Sequence, residues 1–308
     1  MHLDERLIIP GRTSDRESRA LQRASARADL HRIRRGAYVE QQTWQQAKPL
    51  ERHLLALHAE ILTTPDAVVS HRSAAMLHGL PVLGVPRVPE FRQSAGARNA
   101  SSATRIRRSA LDDGDPVRLG EANVVPVERT LVDLAASLPL REALIPLDAH
   151  LRRGGSIDEL LHLLQSIRIR GARRAELAIL LADGSSENGG ESLSRGTMLA
   201  LGFPVPMVQM AVPGSDLRTD FGWLRYRVRG ELDGDQKYED PRYTGGRTPA
   251  EIVLAEKRRE ALIRSLTGHE FARWSWPDAL RVHPLRRELL RVGLPQGRPV
   301  TLESIRSS

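Results

Sequence analysis

Apolar residues recur at helical spacing through long stretches of this chain and alternate at strand spacing only in short ones. Residues 49–64, opened by Pro49 and rich in Leu and Ala, predict an amphipathic helix. The stretch "VPVERTLVDLAASLPLREALIPLDAHLRRG" (125–154) is strongly helical. Leu131, Leu134, Ala135 and Leu138 form one stripe, and Leu140, Leu144 and Leu147 the next. Ser156 caps a further helix, "SIDELLHLLQSI", and residues 172–182 add another. Between these blocks, "AVVSHRSAAMLHGLP" predicts a short strand ending at Val68 and Val69. A helix follows, capped by Ser70 and stopped at Gly79-Leu80-Pro81. Residues 82–126 read as strands and turns.

"DGSSENGG" (183–190) is the clearest linker and predicts a domain boundary. Beyond it the pattern changes to helix, strand, strand, strand, helix, strand, helix. "ESLSRGTMLALGFPVP" is a helix ended by Gly202 and Pro204, and "MVQMAV" (207–212) alternates as a strand. Residues 249–267 form a long helix between Pro249 and Gly268, and "FARWSW" (271–276) is the last strand. The chain therefore reads as an α/β protein of several domains. Residues 1–48 form a basic segment, 49–182 a mixed α+β domain, 183–190 a linker and 191–308 a small α/β domain.

The basic segment opens with a capping box, Ser14 with Glu17, before an Arg-rich helix. "LHRIRRGAYVE" follows, with Leu30, Ile33 and Tyr38 apolar among basic residues and Gly36 at a tight turn. Helix, basic ribbon, Gly turn and Tyr-containing strand suit the wing of a winged helix-turn-helix. They suit a solvated basic helix before a hairpin equally well. On the first reading, Arg23, Arg27, Arg32, Arg34 and Arg35 contact nucleic acid. His71 and His78 lie seven apart with no third ligand near, so they are read as structural.

Composition narrows the classes. The chain has 308 residues, a formal charge of +8 dominated by arginine, 40% hydrophobic residues and only 4% aromatic ones. Arginine suits bidentate phosphate recognition. Genomes rich in G and C enrich arginine without any partner, so charge alone leaves the matter open. The absence of cysteine excludes disulfides and thiolate metal sites. No stretch approaches the roughly 18 apolar residues of a membrane span. A soluble, cytoplasmic protein without membrane contact is expected.

The chemistry concentrates in "RTDFGWLRYRVRGELDGDQKY" (218–238). If residues 225–233 form one strand, Tyr226, Val228 and Leu232 point one way, onto the long helix. Arg225, Arg227, Arg229, Glu231 and Asp233 then point outward. Asp220, on the preceding strand, approaches Glu231 across the hairpin. Hard cations such as Mg²⁺ take a few carboxylate oxygens and keep several waters, so Asp220, Glu231 and Asp233 are the expected metal ligands. Lys237 would neutralise a scissile phosphate, and Glu191 would add a carboxylate from the first helix. The three arginines would track a phosphate backbone. A second reading also stands: Asp233-Gly234 is a common turn pair, and Glu231 simply pairs with Arg227, Arg229 or Lys237.

At these residues the chain resembles the PD-(D/E)XK nucleases. Residues 186–278 look like the very-short-patch-repair-like endonuclease domain of actinobacterial proteins, with "GESLSR", "PMVQ", "TDFGW", "GELDGDQKY", "EKRREALIR" and "ARWSWPD" in order. Residues 20–180 resemble the AbiEi-type antitoxins and transcriptional regulators of type IV toxin–antitoxin systems through "RIRRGAYV", "VVSHRSAAMLHGLP", "VERTLVDLA" and "LDAHLRRG". The resemblance implies a winged-helix-like and helical α+β N-terminal part and a restriction-endonuclease-like α/β C-terminal domain. It implies catalytic roles for Glu191, Asp220 and Glu231. The family's lysine belongs two residues after the second acid, where this chain has Asp233, and Lys237 lies four further on. The expected function is DNA-acting, with Mg²⁺-dependent phosphodiester hydrolysis. The alternative is a non-enzymatic DNA-binding regulator or antitoxin with a cognate toxin as partner.

Overall fold

The computed structural model describes residues 5–9, 15–64, 67–93, 105–108, 116–233 and 248–306. The fold is mixed α/β, and the chain divides into two compact units, 1–134 with 165–167, and 135–164 with 168–308. No helix among the described residues is long and apolar enough to cross a membrane.

The first unit begins with α1 (Asp15–Ala26), β1 (Leu30–Arg34), β2 (Ala37–Glu40), α2 (Gln41–Gln46) and α3 (Pro49–Thr63). β1 and β2 pair antiparallel about Gly36, whose φ of +81° favours a residue without a Cβ. Ser14 of the expected capping box lies outside the described residues. β3 (Val68–Val69), α4 (His71–Leu77), β4 (Glu90–Gln93), β5 (Arg105–Arg108), β6 (Val117–Leu119) and β7 (Ala122–Val124) complete a five-stranded sheet in the order β5-β4-β3-β7-β6. Its core joins Leu57 and Ile61 of α3 to Val69, Ala74, Phe91, Ala122 and Val124. Ser70 stands at the start of α4, yet its hydroxyl meets His71 Nδ1 rather than a backbone N–H. His78 Nε2 lies 2.8 Å from the Val125 carbonyl, a structural contact.

The division falls inside α5 (Val127–Ser137), not at residues 183–190. The expected linker is a packed turn of the second unit. Ser186 is fully buried, and the Asp183 N–H donates to Asp148 Oδ1 at 2.9 Å. The small polar residues that resemble a linker are used to turn the chain and cap the next helix. That helix packs on α6 (Leu140–Arg152), which with α7 (Ile157–Ser166) and α8 (Ala172–Leu180) precedes the α/β layer in the chain.

The α/β layer runs α9 (Gly189–Leu201), β8 (Met207–Ala211), β9 (Arg218–Trp223), β10 (Val228–Asp233), α10 (Pro249–Thr267) and β11 (Glu270–Ser275). Helices α11 (Trp276–Arg281), α12 (His283–Arg291) and α13 (Leu302–Arg306) follow. The strand order is β11-β10-β9-β8, antiparallel from β8 to β10 and parallel between β10 and β11. A parallel neighbour requires a crossover, and α10 supplies it. Thr248 and Glu251 form a capping box before α10, and Gly268 ends it at φ +63°. α9 packs on one face of the sheet, where Trp274 Nε1 donates to Ser194 Oγ at 2.9 Å. α10 packs on the other, where Ile263 joins Phe271, Val212 and Leu217.

Residues 225–233 are not one strand. Leu224–Tyr226 form a 3₁₀ turn, Arg227 takes φ +53°, and β10 starts at Val228. The apolar face of β10 meets α9, and the face bearing Arg229 and Glu231 meets α10, the reverse of the sequence expectation. Gly230 lets two tryptophans close over the strand. A Cβ there would sit 2.7 Å from Trp274 Cη2 and 3.3 Å from Trp223 Cζ3. Gly230→Ala is therefore expected to destabilise the protein by about 1–3 kcal/mol through overpacking, read as a lower urea midpoint with unchanged slope.

Candidate active site and nucleic-acid interface

The N-terminus of α9 builds the first half of the site. Asn188 caps it: Oδ1 accepts from the N–H groups of Gly190 at 2.8 Å and Glu191 at 3.1 Å. Capping fixes the amide, so its Nδ2 donates to Glu191 Oε1 at 2.6 Å. Glu191 Oε2 accepts from the Glu187 N–H at 2.8 Å and from Gln209 Nε2 at 3.1 Å. The Glu191 side chain is buried, at 2% exposure. Burial pushes its carboxyl up to about 7, the neighbouring Asp220 charge pushes the same way, and the N–H donors oppose both.

Asp220 comes from β9. Its pairing with β10 runs through Val228↔Trp223, Arg229↔Gly222 and Gly230↔Phe221. Just beyond, Asp220 Oδ2 accepts the Leu232 N–H at 2.8 Å. A side chain takes the place of the next ladder bond, at the end of the β9–β10 pairing. Glu191 and Asp220 thus lie near enough for their charges to act on one another, and each is held by amide donors.

Glu231 and Asp233 have different partners. Glu231 pairs with Arg259 of α10 and, at 2.8 Å, with Arg273 of β11. Arg273 also reaches Asp233 at 3.1 Å and Glu260 at 3.0 Å. Glu231 is buried, at 7% exposure, which strengthens these pairs relative to surface ones. Among the described residues, Glu231 pairs with Arg259 and Arg273 rather than with the foreseen Arg227 or Arg229, and local spacing did not bring these two into view. Among the described residues, no three His, Cys, Asp or Glu side chains form a group able to hold a metal. The set Asp220, Glu231 and Asp233 is therefore not assembled as the hairpin predicted, because two of its members turn to arginines. Lys237 lies outside the described residues.

The expected nucleic-acid arginines divide. Arg23, Arg27, Arg32 and Arg35 are exposed around α1 and the β1–β2 hairpin, with Arg27 beside Asp29 at 3.3 Å. Arg225 and Arg227 are exposed near the 3₁₀ turn. Arg34 is largely buried, paired with Glu60 and 3.3 Å from Thr64 Oγ1, so it ties β1 to the end of α3. Arg229 is fully buried. It donates to the carbonyls of Met210 at 3.1 Å and Ala211 at 3.0 Å and to Thr219 Oγ1 at 3.1 Å. Arg34 and Arg229 are structural residues of this fold, contrary to the expectation that they contact nucleic acid. Beside the basic hairpin, His31 stacks on Trp44 with ring centroids 4.2 Å apart, and Arg52 lies over the same indole at 5.5 Å.

Sequence reasoning missed Asn188, Gln209, Arg259 and Arg273. The capping position of Asn188 was readable before a helix, whereas nothing in the alternation of β8 marks Gln209.

No family model and no curated protein matches the chain. Among solved structures it is similar to the crystal structure of the RV2827C protein from Mycobacterium tuberculosis, at 17% identity. The match covers 59% of this chain and 70% of that one, with a TM-score of 0.38.

Proposed function

We propose that this is a DNA-acting protein whose C-terminal α/β domain is endonuclease-like and hydrolyses phosphodiesters with Mg²⁺. The observation that carries the reading is the Glu191–Asp220 pair, one carboxylate from the first helix and one from the end of the β9–β10 pairing. The donor set fits a hard cation: two carboxylates suit an ion that keeps most of its waters. Glu191 and Asp220 would hold Mg²⁺, which when bound supplies Lewis-acid polarisation of a phosphoryl oxygen. The exposed Arg225 and Arg227, in the turn between β9 and β10, are suited to a DNA backbone contact, and Arg23, Arg27, Arg32 and Arg35 to a second.

One observation favours the alternative, a non-enzymatic DNA-binding regulator or antitoxin with a cognate toxin. Glu231, the second acid by resemblance, and Asp233, which stands at the family's lysine position, are both paired with arginine. Plasmid nicking in Mg²⁺ or Mn²⁺ separates the readings. Wild type is expected to nick, and Asp220→Asn to nick about a hundredfold more slowly, with EDTA abolishing both. Salt-sensitive DNA binding without nicking by wild type would give the regulator reading instead.

A further inference from the structure

The Glu191–Asp220 pair has a third member that acts through orientation. We infer that Gln209 is a positioning residue for the proposed cation site, its carboxamide fixing the Glu191 carboxylate in the plane in which Glu191 and Asp220 share one cation. The inference rests on the proposed cation chemistry and extends it to a residue outside the acid set.

Three observations support it. First, two of the donors to Glu191, the Glu187 N–H and Asn188 Nδ2, come from its own turn. Gln209 Nε2 brings a third from the sheet, at 3.1 Å on Oε2. Donors from two directions fix the carboxylate plane as well as its position. Second, Gln209 lies between the pairs Val208↔Phe221 and Met210↔Thr219, which puts it opposite Asp220 in the β8–β9 register. It therefore joins the helix acid to the strand that carries the other acid. Third, its backbone stands at φ +51°, a conformation that a residue with a Cβ rarely adopts inside a strand. The left-handed residue breaks the face alternation of β8, and the side chain so re-aimed ends on Glu191. Strain of this kind collects where a side chain must be directed at a site.

The chemistry of the donor matters. Glu231 and Asp233 are held by guanidinium groups, which cancel their charge. A carboxamide is neutral. It holds Glu191 and leaves its negative charge available to a cation. Outer donors of this type govern the affinity of a ligand they do not themselves form.

The test is Mn²⁺ binding to the full chain, followed by the loss of the free-ion spectrum in electron paramagnetic resonance, beside urea unfolding of the same samples. Gln209→Gly accepts φ +51° and removes the whole side chain, carboxamide included, while Gln209→Leu removes the carboxamide but keeps the side-chain bulk. Gln209→Gly is expected to unfold at no lower urea concentration than wild type and to bind Mn²⁺ about tenfold more weakly. Gln209→Leu, where folded, loses the same affinity. A purely structural Gln209 predicts the reverse pattern, affinity retained in Gln209→Gly because the strained backbone is satisfied. Wild-type affinity in either folded variant overturns the inference and leaves the cation site standing. Absence of Mn²⁺ binding in wild type overturns the cation site and the inference together.

Discussion

Replacing Arg195 with leucine lowers the stability of the second unit by about 3–5 kcal/mol. Arg195 and Asp148 lie between α9 and α6, at 4% and 0% side-chain exposure. The guanidinium reaches both carboxylate oxygens, Oδ1 at 2.7 Å and Oδ2 at 2.8 Å, and a second nitrogen donates to the Leu181 carbonyl. Burial alone pushes the Asp148 carboxyl up, and Arg195 is the main influence holding it down. Leucine leaves a fully buried carboxylate without its cation, with the Asp183 N–H and the Ser192 hydroxyl as remaining donors. The double change Arg195→Leu with Asp148→Leu removes both charges and is expected to recover most of the loss. A well-packed apolar pair avoids the desolvation that an ion pair carries. Urea unfolding of the two single variants and the double variant measures the coupling. Losses below about 1 kcal/mol for Arg195→Leu would show that Asp148 is rescued by protonation or by water.

The order of elements from Glu191 to Trp276 was readable, because helix ends at Gly202 and Gly268 and the alternation of 207–212 follow from local chemistry. Misreading began where a pattern had two physical realisations. Residues 225–233 alternate as one long strand would, yet Arg227 at φ +53° breaks the run, and no composition rule reveals a left-handed arginine. Arg229 and Arg34 looked like surface charges. Both are interior, the first among carbonyls just after the kink at Gln209, the second against Glu60. A buried arginine needs acceptors supplied by distant segments, and local spacing carries no trace of them. Residues 183–190 failed as a linker for a related reason: the same small polar residues serve flexible joints and tight caps. At the site, Glu191 and Asp220 were legible as acids. Their grouping apart from Glu231 was not, because it depends on Arg259 and Arg273, 28 and 42 residues beyond Glu231.

Wild-type stability is expected to fall by about 3 kcal/mol through Glu191 as the pH rises from about 4.5 to about 7. The sign follows from which state binds the proton. Unfolded, Glu191 titrates near 4.5; folded, near 7, chiefly because it is buried and secondarily because of Asp220. Between those values the folded state holds a proton that the unfolded state has released. Raising the pH therefore favours unfolding across that window, and the contribution is fully present below 4.5 and gone above 7. Glu191→Gln supplies a neutral group at every pH and flattens this part of the curve. The difference between the two curves isolates the residue, because Asp148, shifted the same way by burial, and Asp278 and Glu288, shifted downward by their hydrogen bonds, are present in both. Superimposable curves would mean that Glu191 titrates normally and that its pocket is open to water. Adding Mg²⁺ then asks what the raised acidity is for. A cation that needs the carboxylate ionised stabilises wild type at pH 8 and not at pH 5, and leaves Glu191→Gln little changed at either. A buried acid poised near neutrality without such a response costs stability at working pH and gives nothing back, so the Mg²⁺ arm decides between a cation ligand and an acid that merely fills its pocket.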